Sequence, residues 1–129
     1  VSRIALRLTV AALGLSALAP VAGARTAAGP PTQVGQCVTT RIAELGGRLE
    51  GASDSGTAVC YANGGTQVSY AVSRIVRAWR VGDRVKMCLT EVPDECPPGD
   101  DRGKVYAVTD LRTGTRWEAS VSEHGCGGA

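Results

Sequence analysis

Five cysteines, Cys37, Cys60, Cys88, Cys96 and Cys126, constrain this chain more than any other feature, because their number is odd and none forms a CxxC pair. Paired spacing is the mark of a structural zinc site, so its absence turns the reading towards two disulfides and one leftover thiol. Spacing alone does not choose among the two-bridge arrangements. Cys60 is the expected leftover, since it lies in the strand-like run "TAVCYA", where a free thiol packs as a small hydrophobe. The expected pairs are Cys88 with Cys96 and Cys37 with Cys126.

Disulfides persist only in an oxidising compartment, and the first residues read as the address for one. Arg3 and Arg7 form a positive start, "LTVAALGLSALAP" a short apolar segment, and Ala22, Gly23 and Ala24 a cleavage site, so residues 1–24 are expected to be a signal peptide. A membrane anchor needs about 20 unbroken apolar residues; this run is shorter and meets Pro20. No stable membrane insertion is expected after cleavage, and the destination is the periplasm or the outside. Cys37 lies too far beyond the apolar segment to be a lipidated cysteine. The Arg, Ala and Gly usage points to a GC-rich bacterial genome.

Charge changes with cleavage. The chain carries 14 basic and 12 acidic residues, and the excess is Arg3 and Arg7. A nucleic-acid partner is therefore excluded, because it requires a net positive footprint.

Residues 25–36, "RTAAGPPTQVGQ", have no apolar period and read as a flexible mature N-terminus. Residues 37–129 form one disulfide-stapled β domain, small enough to need its staples. Within it, Val38, Ile42, Leu45 and Leu49 fall at helical spacing before Gly46 and Gly47, which predicts one short N-terminal helix. "TAVCYA" and "TQVSYAV" flank Asn63–Gly64–Gly65, the turn chemistry of a β-hairpin. Val68, Tyr70 and Val72 are the expected apolar face of its second strand. The β pattern is expected to continue through "SRIVRAWR". After Gly82, Val85, Met87 and Leu89 share one face, and Cys88 points the other way, towards a covering loop. "KVYAVTD" and "TRWEASV" read as a second hairpin. The expected fold is mainly β, a small barrel-like or sandwich-like antiparallel sheet with that helix.

Chemistry-bearing patterns are few. Glu91, Asp94, Glu95, Asp100 and Asp101 cluster, but prolines interrupt them and the alternation of a calcium loop is missing. His124 is the sole histidine and could join a metal site only with Cys126 and remote cysteines, so neither metal nor cofactor is expected. Ser122, Glu123 and His124 are adjacent, yet a nucleophile and its base meet through the fold rather than through neighbouring positions. No GxSxG elbow and no phosphate-cradling glycine motif is present. In "CPPGDDRGK" the prolines and glycines describe a turn, which leaves Asp100, Asp101 and Arg102 as the candidates for touching a partner. The basic stretch Arg74, Arg77, Arg80, Arg84 and Lys86 precedes this acidic loop, and the two are expected to face each other in surface pairs; the alternative is a bipolar surface that steers a charged partner. Trp79, Trp117, Tyr61, Tyr70 and Tyr106 are the only aromatics and are expected in the core.

The segments "NGGTQVSY", "VGDRVKMCL", "CPPGDDRGKVY", "LRTGTRW" and "SEHGCGGA" together resemble a group of small exported bacterial proteins to which no activity is attached. That resemblance implies an exported address and a common fold, and transfers no site residue. "VCYANGGTQVSY" is more loosely similar to strand–turn–strand segments of small periplasmic lysozyme inhibitors, without the Ser-, Gly- and Tyr-bearing motif of that group. The expected function is a non-catalytic binding or interaction module acting on another exported or cell-envelope protein. Inhibition of a cell-wall hydrolase or protease is the alternative, and a small hydrolase using the Ser122–Glu123–His124 region is a third.

Overall fold

The computed structural model describes residues 14, 16–19 and 28–128; the signal peptide expected over 1–24 lies mostly outside these residues. Six strands, β1 (Cys37–Gly46), β2 (Thr57–Tyr61), β3 (Thr66–Ser69), β4 (Arg84–Glu91), β5 (Val105–Asp110) and β6 (Arg116–Ser120), close into a barrel in the order β1-β2-β3-β6-β5-β4. Each pair is antiparallel. The first four strands follow a Greek key, with β4 returning beside β1, and β5 and β6 complete the wall. Closure leaves no long edge open to strand addition.

The predicted N-terminal helix is instead β1, and no α-helix occurs among the described residues. Val38, Thr39, Thr40 and Ile42 are β-branched and favour strand. The helical spacing arose from a bulge: the register against β2 slips between Ile42 and Glu44. One extra residue turns an inward spacing of two into three, so Val38, Ile42 and Leu45, all on the less exposed side of the strand, mimic a helix face. The first half of β1 pairs with β4 and the second half with β2.

Inward residues alternate as a strand requires. Val85, Met87 and Leu89 of β4 are fully buried, as their shared face predicted, and pack with Ile42, Val59 and Val108. The hairpin at Asn63–Gly65 also forms. Tyr61 N donates to Gly65 O, Gly64 takes φ +87°, and Asn63 Oδ1 accepts from Gly65 N.

The expected apolar face of β3 is reversed. Gln67 points inward with no exposure, Val68 is half-buried, and Tyr70 lies beyond the strand and is exposed. Gln67 is nevertheless satisfied. Its Oε1 accepts from Tyr61 Oη at 2.6 Å, and its Nε2 donates to the carbonyls of Tyr106 at 2.7 Å and Ala119 at 3.1 Å. β3 meets β6 through a single bridging pair, Val68 with Ser120, so this side chain supplies cross-seam bonds that the backbone ladder does not.

Because every strand opposes its neighbours, the ends of β1, β3 and β5 meet the starts of β2, β4 and β6 at one end of the barrel. Residues 70–83 cross this end. The stretch expected as continued β pattern is a 3-10 turn, Val76–Ala78, and it delivers Val76 and Trp79 into the core. Trp79 lies edge-on to Trp117, with centroids 6.4 Å apart, and its indole donates to Thr115 Oγ1 at 2.9 Å. Gly56 enters β2 here at φ +119°; a Cβ would stand 2.2 Å from Ser69 O, so only glycine fits.

Arg112 ties the β5–β6 turn to this crossover. Its Nη2 donates to Ala78 O at 2.7 Å, and Nε and Nη2 grip Asp83 at 3.0 and 2.9 Å. The guanidinium holds the Asp83 carboxyl down at about 2. A depressed acid contributes stability above its unfolded pKa, near 4, and loses it as pH falls through the folded value. Carboxyl NMR of Asp83 should therefore titrate near 2, and Arg112→Ala should return it towards the ordinary aspartate value of about 3.9.

Candidate functional site

The opposite end gathers the start of β1, the β2–β3 turn, the β4–β5 loop and the C-terminal tail. Both disulfides stand here, Cys37–Cys88 and Cys96–Cys126, with Cys60 free. The free thiol is the one expected, but both expected pairs are wrong. Cys37 and Cys88 face each other across β1 and β4 with Cα atoms 4.0 Å apart; Leu89 N bonds Gln36 O next to them, which makes theirs the closer, non-hydrogen-bonded type of pair. Cys88 does point away from the apolar face, yet its partner is a neighbouring strand and not the loop. With the run that follows Cys37 misread as a helix, that register was invisible. Cys96 was left for the tail.

The loop itself is two consecutive turns. Asp100 N donates to Pro97 O, with Pro98 and Gly99 (φ +80°) between them, and Lys104 N donates to Asp101 O around Gly103. A proline followed by a positive-φ glycine is the type II arrangement. Asp100 then acts as the hub. It accepts from Arg102 Nε at 2.9 Å, Arg102 Nη2 at 2.6 Å and, from the tail, Gly127 N at 3.2 Å. The Arg102 guanidinium, helped by the backbone amides of Gly127 and Arg102, holds its carboxyl well below the usual range. Asp101 pairs with Lys104 and remains largely exposed.

These residues line a groove of about 420 Å³. Asp100, Asp101 and Arg102 form one wall, and Gly64, Gly65 and Thr66 of the hairpin turn form the other. Tyr106 is its floor; its hydroxyl donates to Pro31 O at 3.3 Å, and burial pushes its pKa up. Pro31 is buried, and Gly35 N donates to Leu89 O; composition suggested a loose segment over 25–36, and the structure packs part of it against this end. The three predicted contact residues are thus brought together, while the facing wall was missed. Its signal was the NGG turn, legible as a hairpin but not as the loop's neighbour.

Ser122 borders the groove, but the adjacent trio makes other bonds. Ser122 Oγ accepts from the backbone N of His124, and Glu123 Oε1 accepts from Tyr70 N at 2.6 Å. No hydrogen bond joins the Ser122 hydroxyl to the His124 ring among the described residues. Cys126 is oxidised and so offers no thiolate beside His124. No group of three or more metal-ligating side chains occurs among the described residues.

The acidic loop and the basic stretch do not pair with each other as expected. Asp100 and Asp101 bond Arg102 and Lys104 within the loop, and Arg74, Arg77 and Arg80 sit on the crossover at the other end. The two disulfides fit an oxidising, extracytoplasmic environment, and no helix of the described residues is long and apolar enough to cross a membrane. Compared with protein families, curated proteins and solved structures, the chain shows no match in any of the three.

Proposed function

We propose that this protein is an exported, non-catalytic binding module whose tail-end groove receives a segment of another exported or cell-envelope protein. The observation that carries this reading is a concave site whose acidic wall is fixed before any partner arrives. Cys96–Cys126 fastens loop to tail, and Asp100 holds Arg102 and Gly127 in place. Fixed walls lower the ordering cost of association. Asp101 and Arg102 offer one exposed charge of each sign, and Gly64 and Gly99, both exposed with open space beside them, let a partner backbone approach closely.

Site-specific photo-crosslinking in the native compartment tests it. A photoreactive residue at Thr66 or Asp101 should give one discrete adduct, and the same residue at Glu118 on the outer wall should give none. Adding Asp101→Arg with Arg102→Glu to the Thr66 probe should reduce the adduct at least ten-fold. If the captured protein is a cell-wall hydrolase or protease that loses activity on binding, the module is an inhibitor. Equal adducts from all positions, or substrate turnover abolished by His124→Ala, would overturn the reading.

A further inference from the structure

We propose that the crossover end of the barrel is a peripheral docking surface for an anionic phospholipid membrane. Six arginines serve this end: Arg41, Arg48, Arg74, Arg77, Arg80 and Arg84. All are exposed, and among the described residues none of their guanidinium groups forms an ion pair with a carboxylate within 4.0 Å. Asp83 is consumed by Arg112, and Glu123 is bonded to Tyr70 N where the crossover begins, which leaves Glu44, Glu50 and Asp54 as the other exposed carboxylates nearby. The field of this end is positive, although the chain beyond residue 24 is balanced.

Charge alone would suit any polyanion. Apolar side chains standing among the arginines favour a lipid surface instead. Val81 is 63% exposed, Leu111 50% and Ile75 39%, and none has a polar group to direct at a base or a sugar. The geometry keeps these groups together. Arg41 Nη1 donates to Gly82 O at 2.8 Å beside Val81, Leu111 N donates to Arg84 O at 2.9 Å, and Arg112 joins its turn to Ala78 O. Arg48 stacks over Tyr70, 4.6 Å from the ring centroid, at the other side of the crossover. Guanidinium groups at phosphate level with aliphatic tips just beneath them is the arrangement by which a monotopic surface holds an anionic leaflet. The groove lies at the opposite end of the barrel, so a docked molecule would present it away from the membrane.

The test is co-sedimentation of the mature protein with vesicles of equal phosphatidylglycerol and phosphatidylcholine, against phosphatidylcholine alone. Binding should require phosphatidylglycerol and fall steeply with salt. Each arginine neutralised should weaken partition about five-fold, so Arg74→Gln/Arg77→Gln/Arg80→Gln should lose about 100-fold. The matching three-lysine variant should retain most binding, which separates charge from misfolding. Val81→Ser with Leu111→Ser should also weaken vesicle binding while leaving the circular dichroism spectrum unchanged. Absence of binding to anionic vesicles at low salt would overturn the proposal. So would tight binding to soluble polyphosphate with vesicle binding indifferent to Val81 and Leu111, which would mark a polyanion site. Neither result bears on crosslinking at Thr66, so the two ends are tested independently.

Discussion

Gln67→Leu should lower the unfolding midpoint by about 15 °C. The side chain is fully buried and holds three hydrogen bonds to three different strands. Leucine fits the volume but accepts nothing from Tyr61, whose hydroxyl has no other listener inside the barrel. A buried donor stranded in this way costs about 1–3 kcal/mol, and the two lost bonds to carbonyls add about 1 kcal/mol each. These terms come to about 3–5 kcal/mol; burial of the apolar leucine returns part of it, and the net of about 3 kcal/mol is a large share of a small domain's stability.

A double-mutant cycle separates the hydroxyl from the seam. Tyr61→Phe removes the stranded donor, so Tyr61→Phe/Gln67→Leu should be about 1–2 kcal/mol more stable than the sum of the single effects. Strict additivity in urea unfolding would show that the 2.6 Å contact contributes nothing. Gln67→Glu should be worse than leucine, because its second oxygen would face two carbonyls and its charge would have no cation within the barrel.

The elements that were legible from sequence are those in which one physical signal acts alone. β4 alternates cleanly from Arg84 to Leu89, before its register against β5 slips, and its turn is Gly82–Asp83, so both its existence and its inward face were readable. The β2–β3 turn needs positive φ, and Gly64 supplies it. Where two signals compete, the reading failed. In β1 a bulge imitates helical periodicity over β-branched residues whose preference runs the other way. In β3 the inward residue is polar, so hydrophobic alternation selected the wrong face; only the partners of Gln67, three strands distant in part, make it an interior residue. Asp110 is a similar case. It is fully buried in an apolar-looking strand, and its Oδ1 accepts from Arg112 N at 2.7 Å to shape the turn. The groove was half legible. Its acidic wall is contiguous in sequence, whereas the wall facing it depends on barrel closure, a property of strand order and not of any local window.

Strand order also makes the two disulfides unequal, and this gives the second large effect. Their sequence separations are 51 and 30, and because loop-closure entropy grows only with the logarithm of length, each is worth about 4 kcal/mol when the native state is rigid around it. For Cys37–Cys88 that condition holds, since the bridge joins two strands already paired in the barrel wall. Cys37→Ala/Cys88→Ala should therefore lose about 4 kcal/mol in denaturant unfolding. Cys96–Cys126 instead holds a loop to a tail with few other ties, Gly127 N to Asp100 and Glu123 to Tyr70 N among them. Without this bridge the tail can open locally, so part of the entropy returned to the unfolded chain is returned to the native state as well. Cys96→Ala/Cys126→Ala should lose only about 2 kcal/mol globally. Its larger effect should be local: faster hydrogen exchange at Arg102 and Gly127, both bonded to Asp100, and loss of the Thr66 crosslink while β4 and β5 stay protected. Peptide mapping without reductant should recover the two bridges and one slowly alkylated thiol at Cys60, slow because burial, with Glu44 across the strand pair, raises its pKa and depletes the thiolate. Uniformly accelerated exchange along β1 to β6 in the Cys96→Ala/Cys126→Ala variant would show that the tail bridge supports the whole barrel and not the groove wall alone.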